Sequence, residues 1–204
     1  MKYLWILLGA ILIGGTIILI QSMKHEDETK MDAVLEDPAG SETAYFAGGC
    51  FWGVEELFRN LKGVVKTEVG YTGGTIPNPT YDIVKTGISG HAESIEITFD
   101  PKKISYEEIL KFFFTIHDPT QLNRQQNDIG SQYRSEIFYS TEEQKKTAEK
   151  VIKQADTSGV FSKAVVTTIS KAGKFYPAEQ YHQDYLQKNP YGYTCHHVRE
   201  EWKF

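Results

Sequence analysis

From residue 43 onward, apolar positions fall into short runs and periodic faces that lay out the elements. Residues 43–47, from Thr43 to Ala47, read as a short strand, and Gly48-Gly49 as its sharp exit. Phe51, Val54, Leu57, Phe58 and Leu61 recur at helical spacing, predicting a helix over 51–61. A strand over 64–69 ends at Gly70, and a turn-rich loop follows through Gly73-Gly74, Pro77 and Pro79. Glu93, Ile95, Ile97 and Phe99 share one parity and Ser94, Glu96 and Thr98 the other, the alternation of a half-buried strand that Asp100-Pro101 ends. Ser105-Tyr106-Glu107-Glu108 matches a capping box, and Ile109, Phe112, Phe113 and Ile116 form the stripe of the helix behind it. A polar segment, 117–133, precedes a strand at 135–139, a helix at 142–154 and a strand at 164–169. The order β-α-β-β-α-β, then α-β, predicts an α+β fold, a ferredoxin-like two-layer sandwich of two split β-α-β halves with an antiparallel or mixed sheet and helices on one face. From Lys171 the chain is rich in Tyr, Pro, Asn and Gly, predicting a loop-rich C-terminal tail with one short helix at 178–187.

The amino-terminal end follows another pattern. Residues 3–20 are an uncharged run of 18, which as a helix would be about 27 Å long, close to the hydrocarbon thickness of a bilayer. The run exceeds a signal-peptide core and no small-residue cleavage site follows it. Residues 1–20 are therefore expected to form an N-terminal transmembrane helix, with secretion after signal cleavage as the alternative. Lys2 and the amino terminus are matched by Lys24 and Lys30 beyond the run, and the short charged leader orients the domain to the extracytoplasmic side. Residues 21–42, with Glu26, Asp27, Glu28, Asp32, Glu36 and Asp37, read as an acidic, solvated tether, and residues 43–204 as the globular part. With 204 residues, 40% hydrophobic and 24% charged, the chain suits one sizeable core. Its net charge of −5 leaves no basic footprint for a phosphate backbone, so nucleic acid is set aside as a partner.

Candidate chemistry starts at Gly49-Cys50-Phe51-Trp52-Gly53, which puts a cysteine at the start of the first helix. Unpaired N–H groups and the positive end of the helix dipole favour thiolate there; the alternative is a buried, inert thiol. The parity of Glu93 turns its carboxyl toward the apolar side, which raises its pKa and leaves it able to donate a proton near neutral pH, unless it lies just ahead of the strand and points to water. Two loop clusters accompany it, Asn78-Pro79-Thr80-Tyr81 and Asn127 to Tyr133. Tyr81, Asp128 and Tyr133 there can bind a polar ligand or serve as turn and core-rim residues. Cys195 is the second of two cysteines and is open to three readings: a structural disulfide, a thiol that resolves an oxidised Cys50, or a metal ligand with His196 and His197. Consecutive residues converge poorly on one ion, so no metal is expected. His182 is expected to be a hydrogen-bonded structural histidine.

Taken together, Gly49-Cys50-Phe51-Trp52-Gly53, Gly70-Tyr71-Thr72-Gly73-Gly74, Gly90-His91-Ala92-Glu93, the run Asp128 to Ser135, Ala178-Glu179-Gln180-Tyr181-His182-Gln183 and Tyr191-Gly192-Tyr193 resemble the peptide methionine sulfoxide reductase A family, in order, over about 43–197. The resemblance implies reduction of the S epimer of methionine sulfoxide, free or in oxidised proteins, with no bound cofactor. It implies attack by Cys50 on the sulfur, Phe51 and Trp52 as an apolar wall around the methyl group, and Glu93 as the acid at the sulfoxide oxygen, assisted by Tyr81, Asp128 and Tyr133. Cys50 would become a sulfenic acid that Cys195 captures as a disulfide, and a thioredoxin-like donor would reset it. The tail holds Cys195 as its one cysteine, with Thr194 ahead of it, where a two-disulfide relay needs two. The rival readings are a thiol peroxidase using the same two thiols and a membrane-anchored binding module with a structural disulfide.

Overall fold

The computed structural model describes residues 39–204. Strand β1 (Glu42–Gly48) leads into helix α1 (Phe51–Arg59), β2 (Val64–Thr72), the single-turn α2 (Tyr81–Val84) and β3 (Ala92–Phe99). Helix α3 (Tyr106–Ile116) is followed by a two-residue hairpin pair, β4 (Arg124–Gln125) and β5 (Asp128–Ile129), and a 3-10 turn at Ser131–Tyr133. Then come β6 (Ser135–Tyr139), α4 (Glu142–Thr157), β7 (Thr168–Lys171), β8 (Tyr176–Pro177), α5 (Tyr185–Lys188) and a closing 3-10 turn at Glu200–Trp202. Six strands make one mixed sheet in the order β7-β6-β1-β3-β2-β8, antiparallel throughout except for the parallel β6–β7 pair.

Ala44 and Phe46 of β1, with Ile95 and Ile97 of β3, face α1, α3 and α4 and bury Phe58, Ile109, Leu110, Phe113 and Val151 against them. The Phe46 ring stacks on Phe113 at 4.9 Å and Phe58 at 5.8 Å between centroids, fastening α1 and α3 to the same strand. Helix α3 starts where its capping box lies: the Ser105 hydroxyl accepts from the Glu108 N–H at 3.2 Å, and the Glu108 carboxylate accepts from the Ser105 N–H at 2.8 Å. The opposite sheet face carries a second cluster, Ala47, Ala92 and Phe138, packed with Tyr45 and Ala172.

The expected ferredoxin-like two-layer sandwich is corrected. The α+β class holds, but the sheet is a mixed one of six strands, lengthened at one edge by β7 and at the other by β8, and irregular chain covers its second face through Phe175, whose ring lies 5.7 Å from that of Tyr45. The apolar run before β7 drew the expected strand to 164–169, whereas the ladder forms at Thr168–Lys171. Strand β8 is two residues long, too short to carry a period. No helix among the described residues is long and apolar enough to cross a membrane, and the expected anchor at 1–20 lies outside them. The tail helix expected at 178–187 is the single turn Tyr185–Lys188.

Candidate active site

Strand β1 ends at Gly48, and the chain turns through Gly49, whose φ of +102° suits glycine and whose missing side chain admits Gln125. Cys50 caps α1 with a non-helical backbone, φ −56° and ψ 121°. Its thiol is buried. Burial, followed by the neighbouring Glu93, pushes its pKa well above the ordinary thiol value, and the Trp52 N–H opposes them only in part. The thiolate expected from the helix dipole is thereby corrected: desolvation and a facing carboxyl outweigh the backbone amides at this depth. Glu93, the second residue of β3, is 2% exposed and accepts the Phe51 N–H at 3.2 Å through Oε2. Burial raises it to about 8 against the pull of that amide, with Asp128 adding to the rise, so the carboxyl is protonated at neutral pH.

Tyr81 and Tyr133 converge on the same two groups from different loops. The Tyr81 N–H is held by Glu179 Oε1 at 2.9 Å, and burial, then Glu93 and Cys50, push its hydroxyl up to about 12. Tyr133 is raised by burial and then Glu93, with smaller contributions from Tyr81, Asp128 and Cys50. Its turn is fastened to the end of α2 by the Gln132 amide, which donates to the Lys85 carbonyl at 2.9 Å. Asp128, on the β4–β5 hairpin, accepts the Tyr193 hydroxyl at 3.1 Å and lies 3.4 Å from Cys195 Sγ.

The aromatic side of the site follows from the two residues after Cys50. Phe51 is fully buried, 5.9 Å from the Tyr71 ring and 5.1 Å from His182. Trp52 stacks on Tyr185 at 3.8 Å and 15°, and its indole N–H donates to His182 Nδ1 at 3.0 Å. Glu179 ties the wall together, since its other oxygen accepts the Tyr71 hydroxyl at 2.8 Å. Behind Trp52, the buried carboxylate of Glu55 accepts the Asp184 N–H at 3.0 Å and pairs with Arg59 at 3.0 Å, which anchors the chain just before Tyr185 to α1.

The tail closes the fourth side. Gly53, in the first turn of α1, lies so near Thr194 and His196 that a Cβ there would collide with both. His196 Nε2 lies 2.8 Å from the Gly48 carbonyl. Cys195 is thereby held beside the start of α1, half-buried, and both cysteines are free thiols. Burial and then Asp128 push the Cys195 thiol up to about 12.

A neutral acid, a buried thiol and a ring-lined wall are thus gathered at one helix start, and comparison with known proteins gives that arrangement a family. The sequence model for peptide methionine sulfoxide reductase matches residues 42–203. The chain belongs to the peptide methionine sulfoxide reductase family. It is 53% identical over 162 residues to peptide methionine sulfoxide reductase MsrA of Leifsonia xyli subsp. xyli, covering 79% of this chain and 94% of that one. Among solved structures, Mxr1 from Saccharomyces cerevisiae in reduced form matches with a TM-score of 0.75 at 37% identity, over 80% of this chain and 95% of that one. Mxr1 in complex with Trx2 matches with a TM-score of 0.55 at 26% identity, over 83% and 97% of the two chains.

All eight residues singled out from the sequence lie in this one region of the fold: Cys50, Phe51, Trp52, Tyr81, Glu93, Asp128, Tyr133 and Cys195. Four supporting residues were not foreseen: Glu55, Glu179, Asp184 and Tyr185. Glu179, Asp184 and Tyr185 sit in one stretch read as helix and Glu55 in another, and none of them carries a local signal, because the bonds that give them purpose cross more than a hundred residues of chain. His182 was expected to be structural; its bond to the Trp52 indole makes it a support of the aromatic wall.

Proposed function

We propose that this reductase takes the S epimer of methionine sulfoxide, free or in oxidised proteins, and returns methionine. Cys50 attacks the sulfur while the methyl group rests against Phe51 and Trp52. Glu93 protonates the sulfoxide oxygen, with the Tyr81 and Tyr133 hydroxyls as further donors. The observation that carries this reading is the protonated Glu93 carboxyl held on the Phe51 N–H, one residue from a buried thiol. Sulfoxide oxygen leaves poorly until its charge is neutralised, and a carboxyl kept neutral by burial supplies the proton. Once Glu93 has given up that proton, its carboxylate can receive the one from Cys50. The nucleophile is then formed when substrate arrives, which suits a thiol held well above its ordinary pKa. Oxygen passes to Cys50 as a sulfenic acid and methionine departs. Cys195 attacks that sulfur to form a disulfide and release water, and a thioredoxin-like dithiol reduces it; the complex of Mxr1 with Trx2 supports such a donor. The catalytic unit is residues 43–204.

The test is reduction of N-acetyl methionine sulfoxide by dithiothreitol. Cys50→Ser should be inactive and Glu93→Gln should lose about 10²-fold or more. Cys195→Ser should complete a first turnover and fail with a thioredoxin-like donor. Turnover by Cys50→Ser would defeat the proposal, and consumption of peroxide without sulfoxide turnover would favour a thiol peroxidase instead.

A further inference from the structure

His196 follows Cys195 directly, is buried, and makes two polar contacts of opposite kind with its ring. Nε2 lies 2.8 Å from the Gly48 carbonyl oxygen, and Nδ1 lies 3.4 Å from Cys195 Sγ. A carbonyl oxygen only accepts, so Nε2 carries the ring's proton. A neutral imidazole has one such proton, and Nδ1 therefore presents a lone pair to the thiol. Burial keeps the ring neutral down to about pH 4, with Arg199 and His197 acting in the same sense against the Gly48 bond. Buried His117, itself lowered to about 3 by burial, is a further neutral neighbour. The lone pair is thus available throughout the neutral range.

The Cys195 thiol needs such a partner. Its single proton faces two acceptors, His196 Nδ1 and Asp128 Oδ2, each at 3.4 Å, and the carboxylate already receives the Tyr193 hydroxyl. Beside a carboxylate a thiolate is disfavoured. With the thiol at about 12, only about one molecule in 10⁵ would hold a thiolate at pH 7. Unaided ionisation would make capture of a sulfenic acid slow. Nδ1 also faces the first turn of α1, since a Cβ on Gly53 would lie 2.7 Å from it. The Gly48 bond ties the ring two residues ahead of Cys50.

We propose that His196 is the base of the resolving step, its Nδ1 taking the proton of Cys195 as that sulfur attacks oxidised Cys50. This rests on the sulfenic acid chemistry proposed for Cys50. The Cys195 S–H bond breaks and the Cys50–Cys195 S–S bond forms as the S–O bond of the sulfenic acid breaks. The departing hydroxide takes the proton from Nδ1 and leaves as water. Cys195 sulfur is oxidised by one unit, Cys50 sulfur is reduced by one, and His196 returns to its starting state.

The test uses the full chain with one equivalent of N-acetyl methionine sulfoxide and no reductant, following methionine, Cys50 trapped by dimedone, and disulfide in timed quenches from pH 6 to 8. His196→Gln keeps an N–H for the Gly48 carbonyl and loses the lone pair at the δ position. His196→Asn offers the thiol an amide oxygen that accepts a hydrogen bond without taking the proton. In both, disulfide formed per methionine released should be about 10²-fold slower. The dimedone adduct should accumulate, and the rate should climb about tenfold per pH unit where the parent is flat. A parental rate in either variant overturns the proposal, and so does a slow rate with a flat pH profile, which would mark a packing role. If the parent makes methionine without a Cys50–Cys195 disulfide, the resolving step itself falls; if it makes no methionine, the proposed activity falls first.

Discussion

Glu93 carries consequences for both activity and stability, each set by a carboxyl whose pKa is about 8 in the folded chain against an ordinary 4.5. Because the folded state holds the proton more tightly than the unfolded one, stability is greatest below about pH 4.5. It falls as pH rises toward 8 and is flat beyond. Glu93→Gln keeps an acceptor for the Phe51 N–H and cannot ionise, so its melting temperature should gain on the parent's between pH 5 and 8; a constant gap would show that Glu93 ionises normally. With Glu93 as the proposed acid, activity should run with the protonated form, so single-turnover methionine formation should hold to about pH 8 and decline above it, and a rate still rising at pH 9 would remove Glu93 as the acid. The environment of Glu93 was legible from strand parity, since Ile95, Ile97 and Phe99 drew its side chain inward. That of Cys50 was legible only in part. A helix start is visible in sequence, but the burial that keeps the thiol protonated is not, and neither are Glu93, Asp128 and Cys195, which reach it from far along the chain and add to the rise.

Helix α1 presents its first turn to the tail, and Gly53 makes that contact close. Alanine at this position would favour the helix by about 1 kcal/mol, yet its Cβ would displace Thr194 and His196. Gly53→Ala should therefore retain a cooperative melt while forming less Cys50–Cys195 disulfide per methionine released; parental disulfide yield would mean that the tail reaches Cys50 by another route. Elements with a full period were read close to their true bounds, as with α3 behind its capping box and β6 at Ser135–Tyr139. Those that failed are short or borrow their order from elsewhere. The turn at Tyr81–Val84 leans on Glu179 through the Tyr81 N–H. The tail helix shrinks to four residues because Asp184, at φ 56°, breaks the helical path where Glu55 grips its N–H.

Across the whole molecule, the described core closes on itself from β1 to the final 3-10 turn, where Phe204 packs edge-on against Phe114 at 5.9 Å. A chain starting at Ser41 should therefore unfold in one transition and reduce N-acetyl methionine sulfoxide at the parental rate with dithiothreitol, checked by calorimetry and turnover; a broad, non-cooperative transition would show that the preceding residues are part of the folding unit. Strand order was beyond the sequence pattern, because β6–β7 pairing depends on a crossover through α4 and β8 on two residues that return from the tail. Those late additions also decide how the sheet ends. One flank is β8, two residues long and including Pro177, which has no N–H to lend; the other is β7, four residues long and closed by Lys171. Neither margin is a good template for a strand from another chain, so crowded solutions of the folded protein should resist stacking into fibres by edge pairing.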